Sequence, residues 1–134
     1  MIALDSSALL AIVLEEPQKP EFAAAISGHD CIIGAPTVLE AQLATMARGG
    51  EPGLRSLRFI LSRPTIEIAA FSDRHAQSAF DAFDRYGRGR HPAKLNLGDC
   101  MAYAVAKLAN APLLYKGGDF ALTDIKAALP QGTK

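Results

Sequence analysis

Short apolar runs alternate with segments of helical periodicity along this chain. Four runs are typical of buried strands: 2–4, 31–35, 65–71 and 112–115. Six further segments carry apolar residues at helical spacing: 6–16, 19–28, 36–50, 51–63, 72–87 and 96–109. Strands that alternate with helices predict an α/β domain with a mostly parallel sheet. Because 134 residues suffice for one compact core, we expect a single domain over residues 1–134.

The segment 36–50 has the clearest helix signals. Pro36 suits a first helical position, and the pair Gly49–Gly50 predicts the end of the helix. Its larger apolar residues are predicted to face the core: Val38, Leu39, Leu43 and Met46. That arrangement places Glu40 at the edge of the core, with no Lys or Arg three or four positions away to pair with it.

The charge of the chain is balanced overall but uneven locally. Lys and Arg number 14 and Asp and Glu number 14, which argues against a protein that coats nucleic acid through bulk charge. One stretch of cations contains no acid: Arg85, Arg88, Arg90, His91 and Lys94. Such a stretch is either a solvated loop or a surface that holds a phosphate backbone. Lys116 has the same two interpretations.

The two cysteines and the N-terminus bear on the compartment. Cys31 and Cys100 each stand beside apolar residues, which predicts buried reduced thiols rather than a disulfide framework or a zinc site. The N-terminus has no cationic lead-in, and Asp5 interrupts its apolar run. We therefore expect neither a signal peptide nor a membrane span, and the cytoplasm as the compartment.

Four acids fall at the ends of predicted elements. Asp5 follows the first strand, Asp119 follows the last strand and its glycine turn, and Asp99 lies in the first turn of an apolar helix. Glu40 lies one turn into another helix. Each has a purely structural interpretation, since Asp5 and Asp119 suit helix caps or turns, Asp99 suits a helix start capped by Asn96, and Glu40 suits solvent. Alternatively, strand ends of a parallel sheet meet at one edge, where sites form.

Convergence of these acids would have a strong electrostatic consequence. Two like charges 4 Å apart repel by about 4 kcal/mol at an effective dielectric constant near 20. Converging carboxylates must therefore bind protons or a cation, and an all-oxygen donor set selects a hard ion such as Mg²⁺ or Mn²⁺ over zinc. Such an ion suits phosphoryl chemistry, because it activates a water and neutralises charge on the phosphate.

Segments distributed along the chain resemble the PIN-domain proteins, and more closely the VapC-type toxins of bacterial toxin–antitoxin pairs. The segments are IALDSSALLAIVLEEP, PTVLEAQLA, GRGRHPAKLNLGDCMAYAVAK and PLLYKGGDFALTDI. The resemblance runs from Ile2 to about Ile125. It implies a mostly parallel sheet flanked by helices on both faces, and Mg²⁺- or Mn²⁺-dependent cleavage of RNA.

The resemblance also implies roles for individual residues. The acids of the family correspond to Asp5, Glu40, Asp99 and Asp119, as catalytic residues and metal ligands. Ser7 corresponds to a hydroxyl that orients a carboxylate or a water, although a plain helix-start role is equally consistent with the residues. Contacts to RNA are expected from the cations beside the site: Arg85, Arg88, Arg90, Lys94 and Lys116.

The resemblance further implies partners. These are a VapB-type antitoxin whose helix docks on an apolar groove, a second copy of the chain in a homodimer, and operator DNA only through the antitoxin. Two alternatives remain at this stage. One is a PIN-type nuclease that acts on DNA or structured flaps, and the other is a non-catalytic PIN module that binds a partner.

Overall fold

The computed structural model describes residues 1–130, so residues 131–134 of the predicted domain lie outside the described part. Four strands and five helices follow one another, with a short 3₁₀ turn near the end. The strands are β1 (Ile2–Leu4), β2 (Cys31–Gly34), β3 (Ile66–Ala69) and β4 (Leu113–Leu114). The helices are α1 (Ser6–Val13), α2 (Lys19–Ser27), α3 (Ala35–Leu61), α4 (Asp73–Tyr86) and α5 (Leu97–Ala109). The 3₁₀ turn is Phe120–Leu122.

The four strands form one parallel sheet in the order β3-β2-β1-β4. Ile2 pairs with Cys31, Ala3 pairs with both Ile32 and Leu113, and β2 pairs with β3 along four residues. The central strand β1 is buried throughout, as expected for a parallel strand covered on both faces. The predicted fold class is confirmed.

Side-chain alternation along the strands divides the core in two. Ala3 and Leu113 point to the face covered by α4 and α5, where Tyr103 and Leu95 are buried. Ile2, Leu4, Ile33 and Leu114 point to the face covered by α1, α2 and the start and end of α3. Helices therefore cover both faces of the sheet, and the carboxyl ends of the strands open at one edge.

The long helix α3 is broken at Gly50. Gly50 has φ 60° and ψ −157°, a non-helical conformation with the positive φ that glycine adopts readily, and Pro52 follows two residues later. The break predicted at Gly49–Gly50 is thus confirmed, and two helical halves meet at this point. A Cβ on Gly53 would come within 3.0 Å of Thr45 Cγ2, so the second half returns closely over the first.

The predicted core face of α3 is wrong for three of its four residues. Leu39, Leu43 and Met46 are 56%, 55% and 56% exposed, and only Val38 packs against the core. The buried side of this helix consists of smaller residues one helical turn apart: Thr37, Ala41 and Thr45. Small side chains let α3 approach the neighbouring elements closely, so the larger apolar residues lie on the opposite side.

Two other expectations concern the thiols and the membrane. Cys31 and Cys100 are both buried and free, as predicted. Within residues 1–130, the structure contains no helix with the length and hydropathy needed to cross a bilayer.

Candidate active site

Asp5 is a buried carboxylate at the carboxyl end of β1. It is 4% exposed and caps α1, where its Oδ2 accepts hydrogen bonds from the Ser7 backbone N–H at 3.1 Å and the Ser7 hydroxyl at 2.5 Å. Its other oxygen, Oδ1, is buried with no hydrogen-bond partner among the described residues. Burial raises the pKa of Asp5 to about 6, against the lowering effect of the two Ser7 hydrogen bonds. Asp5 therefore caps a helix and also presents an unpaired acceptor.

Ser7 connects Asp5 to the end of the last strand. Its hydroxyl donates to Asp5 and accepts a hydrogen bond from the backbone N–H of Lys116 at 2.9 Å. Lys116 follows β4, so one hydroxyl connects the ends of two neighbouring strands. This contact supports the orienting role expected of Ser7, while its place in the first turn of α1 is also as expected.

Asp99 is half-buried in the first turn of α5 and is held by a reciprocal cap. The Asn96 side chain accepts from the Asp99 backbone N–H at 2.8 Å, and the Asp99 carboxylate accepts from the Asn96 backbone N–H at 3.0 Å. Burial raises the pKa of Asp99, and the neighbouring Glu40 and Asp119 raise it further. The structural interpretation of Asp99 is therefore correct, and it coexists with an acidic environment.

Gly98 brings Glu40 to the start of α5. A Cβ on Gly98 would lie 2.8 Å from the Glu40 carboxyl carbon and would clash with its oxygens. Only a residue without a side chain lets the Glu40 carboxylate rest against this turn of α5. The sequence analysis did not single out Gly98. The sequence did contain a signal for Gly98. This glycine stands directly before Asp99 in the first turn of a helix, where glycine is less favourable than other residues.

Asp119 lies at the exposed rim of the site. It follows the turn Gly117–Gly118, in which Gly117 has φ 99°, and it precedes the 3₁₀ turn whose Phe120 is buried. Its charge acts on Asp99, as noted above. Asp119 is thus placed beside the helix start that carries Asp99.

Pairs among the four acids are near enough at one edge of the sheet for their charges to act on one another. Burial raises the pKa of Asp5, and the charges of Asp99 and Glu40 raise it further. Burial also raises the pKa of Asp99, and there the further charges are those of Glu40 and Asp119. Within residues 1–130, however, no three Asp, Glu, His or Cys side chains stand close enough together to ligate one ion. One oxygen of Asp5 accepts from Ser7, and one oxygen of Asp99 accepts from the Asn96 N–H. The site consists of neighbouring carboxylates rather than a preformed cage.

Comparison with known proteins identifies the family. The model of the PIN domain matches residues 2–126. The chain belongs to the PIN-domain family.

Relatives and solved structures agree with this assignment. The chain is 42% identical over 131 residues to a VapC ribonuclease of Mycobacterium bovis, covering 96% of this chain and all of that protein. It is 39% identical over 127 residues to ribonuclease VapC of Mycolicibacterium smegmatis, covering 94% and 98%.

Among solved structures, the fold is similar to VapC20 of Mycobacterium tuberculosis, described as a toxin that cleaves the sarcin–ricin loop. The TM-score is 0.79 at 13% identity, over 97% of this chain and all of that chain. It is also similar to VapBC2 of Rickettsia felis bound to a promoter DNA fragment, with TM-score 0.72 at 17% identity over 95% and 97%.

The cations of this PIN domain differ in their surroundings. Three of the five predicted RNA contacts are engaged with acids: Arg85 with Asp124 at 3.7 Å, Arg90 with Asp84 at 2.7 Å, and Lys116 with Glu16 at 2.9 Å. Arg88 and Lys94 form no ion pair within residues 1–130. Arg88 is also near enough to Asp99 to lower the pKa of that carboxyl. Of the five predicted RNA contacts, Arg88 and Lys94 are therefore the two without an acidic partner in the described part of the chain.

Proposed function

We propose that this PIN domain is a metal-dependent endoribonuclease toxin of the VapC type. The observation that carries the proposal is the buried Asp5 carboxylate, whose unpaired Oδ1 stands in the field of Asp99 and Glu40. Burying a charge among like charges is costly unless the site binds a cation or a proton. Relatives named VapC ribonucleases, about 40% identical over nearly the whole chain, support RNA as the substrate.

The residues fit a hard divalent cation such as Mg²⁺ or Mn²⁺. The donors are carboxylate oxygens, and Asp5 offers an oxygen without another partner. Asp5 and Asp99 would be the main ligands, Asp119 would share the same or a second ion, and Glu40 would bind directly or through a water. When bound, such an ion would supply an activated water and would neutralise charge on the scissile phosphate. No histidine is needed as a general base in this scheme.

The chain's own residues then have distinct tasks. The Ser7 hydroxyl holds one oxygen of Asp5, which leaves the other oxygen directed into the site. Glu40 rests on Gly98, where it orients the attacking water or acts as a further ligand. Arg88 and Lys94 bind the RNA backbone, because neither is paired with an acid in the described part of the chain. Arg85, Arg90 and Lys116 contribute less, since their acidic partners compete with phosphate.

The proposed antitoxin partner has a suitable groove. A cavity of about 530 Å³ lies between α1 and the second half of α3, with Ile12, Val13, Phe59 and Ile60 among its lining residues. Phe59 is 74% exposed there, and Lys19, Arg55 and Glu15 supply charge at the rim. A toxin–antitoxin complex from Klebsiella pneumoniae shares the fold, with TM-score 0.67 at 22% identity over 90% of this chain. We propose that a helix of a VapB-type antitoxin docks here, and that operator DNA is bound only through the antitoxin.

A homodimer is the second proposed assembly. The exposed Leu39, Leu43 and Met46 of α3 stand on a helix whose Glu40 touches Gly98, and Leu97 beside it is 74% exposed. Leu97 also lines an apolar cavity of about 390 Å³ with Phe80 and Phe83 of α4. An apolar surface of this extent is typical of an interface, and we propose a second copy of the chain as its occupant. We also propose that the protein acts in the cytoplasm.

The testing experiment is a cleavage assay with antitoxin-free protein. The substrates are tRNA, ribosomal RNA fragments that include the sarcin–ricin loop, and single-stranded and flap DNA, each with Mn²⁺, with Mg²⁺ and with EDTA. Asp99→Asn is the control, because asparagine keeps an oxygen that accepts the Asn96 N–H and the variant should fold normally. We expect RNA cleavage that needs the ion and disappears in this variant.

Other results would redirect the proposal. Cleavage of DNA in preference to RNA would favour a DNA or flap nuclease. Folded protein that neither cleaves nor binds Mn²⁺ would favour a non-catalytic module that binds a partner. An Asp99→Asn protein that unfolds, or that cleaves as well as the wild type, would contradict the role assigned to Asp99.

A further inference from the structure

Asp124 is a fifth acid, outside the set of four, that joins three segments of the protein. Its carboxylate accepts hydrogen bonds from the Tyr103 hydroxyl at 2.5 Å and from Lys107 Nζ at 2.7 Å, and Arg85 lies 3.7 Å away. Burial opposes ionisation of this carboxyl, but the Lys107 and Tyr103 hydrogen bonds prevail and lower its pKa to about 2. Asp124 is therefore a fixed negative charge with three donors around it.

The partners of Asp124 belong to elements that carry the site. Tyr103 and Lys107 follow Asp99 by four and eight positions on α5, so all three lie along one side of that helix. Arg85 is in the last turn of α4, three residues before Arg88. Asp124 itself follows Asp119 by five residues. One carboxylate thus ties the Asp119 segment to the helix of Asp99 and to the start of the cationic loop.

The chain between Asp119 and Asp124 is tightly bonded. Leu122 N–H donates to the Asp119 carbonyl, and both the Thr123 N–H and its hydroxyl donate to the Phe120 carbonyl, at 3.0 and 2.7 Å. Phe120 is 3% exposed and packs on Tyr115, with ring centroids 5.1 Å apart. Hydrogen bonds therefore link the segment from Asp119 to Thr123, the residue directly before Asp124.

On the other side of Asp119, Lys116 is held by Ser7 and Glu16, and the Gly118 carbonyl accepts from the Ala121 N–H of the same 3₁₀ turn. Gly117 and Gly118 are exposed, and an added Cβ at either would meet nothing within 4 Å among the described residues. Gly117 also has φ 99°, a conformation that glycine enters and leaves easily. The two glycines leave a short flexible step between Lys116 and Asp119, so the buried Phe120 and the bonded segment up to Asp124 are the nearest rigid support of Asp119.

We infer that Asp124 is a positioning residue that fixes Asp119 relative to Asp99 and thereby sets the affinity of the acidic site for its divalent cation. The inference rests on the proposed function, because it needs Asp119 to be a ligand. Asp124 does not contact the reacting atoms and acts through the 3₁₀ turn. Partners that orient metal ligands typically change metal affinity about 10- to 100-fold when they are replaced.

The test measures Mn²⁺ binding to the full chain by calorimetry, with Asp124→Asn, Asp124→Ala and Tyr103→Phe. Tyr103→Phe removes one hydroxyl only, so it keeps the test informative if an Asp124 variant does not fold. We expect Mn²⁺ to bind about 10-fold more weakly. Asp81→Asn is the matched control, because Asp81 is an exposed acid of α4 with no ion pair in the described residues, and its Mn²⁺ affinity should be unchanged.

Two further readouts separate positioning from general loss of structure. In EDTA, amide hydrogen exchange over residues 117–122 should become faster in Asp124→Asn, while α1 and β1 keep their protection. In an Asp119→Asn background, Asp124→Asn should cause no further loss of Mn²⁺ affinity. Cleavage by Asp124→Asn should recover at high Mn²⁺ concentration.

The outcomes distinguish this inference from the proposed function. Wild-type protein that binds no Mn²⁺ would overturn both. Wild-type binding with equal affinity in the Asp124 variants and in Tyr103→Phe would overturn the inference alone. An undiminished effect of Asp124→Asn in the Asp119→Asn background would also overturn it, since the coupling would not pass through Asp119.

Discussion

At the scale of single residues, Asp5 combines a structural and a chemical task in one carboxylate. One oxygen caps α1 through Ser7, and the other is buried without a partner. The helix cap predicted from sequence is correct, but it concerns only one of the two oxygens. The charge on the other is destabilising in the protein alone, and such a cost is commonly found at functional sites.

The first prediction concerns Asp5 and pH. The pKa of Asp5 is about 6 in the folded protein against a reference value of 3.8, so the folded state binds more protons between these values. The contribution of Asp5 to the free energy of unfolding is therefore highest below about pH 4. It falls by about 3 kcal/mol as the pH rises from about 4 to about 6. Asp5→Asn, which keeps an acceptor for Ser7, should raise the free energy of unfolding at about pH 7.5 in EDTA.

Denaturant unfolding of both proteins at several pH values measures this effect. The gain should shrink towards zero near pH 4, and cleavage activity should be absent in Asp5→Asn. Two parallel curves of stability against pH would contradict the raised pKa.

The second prediction concerns Gly98. Gly98→Ala should leave stability nearly unchanged, because the atoms in the way are the mobile end of Glu40 and alanine suits a helix better than glycine by about 0.5–1 kcal/mol. Cleavage should fall, by about 100-fold if Glu40 moves by about 1 Å. Thermal unfolding and cleavage rates measure both effects. In a Glu40→Ala background, Gly98→Ala should cause no further loss of cleavage activity. A further loss would show that Gly98→Ala does not act through Glu40.

At the scale of elements, the start of α5 and the loop before it organise the acidic site. The Asn96–Asp99 cap defines where α5 begins, and Gly98 admits Glu40 from α3. The loop that precedes α5 carries cations whose roles the sequence could not separate. Their pairing depends on Asp84 and Asp124, which approach them only in the folded chain.

The third prediction therefore separates the cations of this loop. Arg88→Ala and Lys94→Ala should each reduce the slope of log K against log salt for RNA binding by about 1, because each removes one phosphate contact. Arg90→Ala should change the slope less, since Asp84 holds that side chain 2.7 Å away. RNA binding by Asp99→Asn protein at several salt concentrations avoids cleavage during the measurement. Equal slopes for all three variants and the parent would show that Arg88 and Lys94 do not contact the RNA backbone.

At the scale of the whole molecule, two apolar surfaces lie away from the core. One is the groove between α1 and the second half of α3, and the other is the exposed side of the first half of α3 together with Leu97. The break at Gly50 separates the two halves of α3, so each half contributes to a different surface. The acidic site lies beside the second surface through the contact of Glu40 with Gly98.

The fourth prediction concerns assembly. Leu43→Lys should convert a dimer into a monomer of unchanged fold, because Leu43 is 55% exposed and a charge there opposes burial against a second copy. Light scattering coupled to gel filtration measures the mass, and circular dichroism checks the fold. Leu108→Lys is the control, because Leu108 is 36% exposed near the far end of α5 and should leave the dimer intact. A wild-type protein that is monomeric at high concentration would contradict the proposed dimer.

The sequence by itself determined the order of strands and helices, the parallel sheet and the buried thiols. It did so because strand and helix periodicity, proline and glycine signals and apolar runs are local properties of the chain. It also pointed to Asp5 and Asp119, since parallel strands end at one edge of a sheet. Glu40 and Asp99 lie on helices, and the resemblance to PIN-domain proteins joined them to this set.

Only the tertiary structure decided which side of a helix is buried and which charges are paired. The first half of α3 buries Thr37, Ala41 and Thr45 rather than its larger residues, because small side chains permit the close approach that its neighbours impose. Arg85, Arg90 and Lys116 are paired while Arg88 and Lys94 are not, and the contact of Glu40 with Gly98 joins residues 58 positions apart. Apart from the pair Arg90–Asp84, which is six positions apart, these contacts depend on packing between distant segments, and no local pattern of residues encodes them.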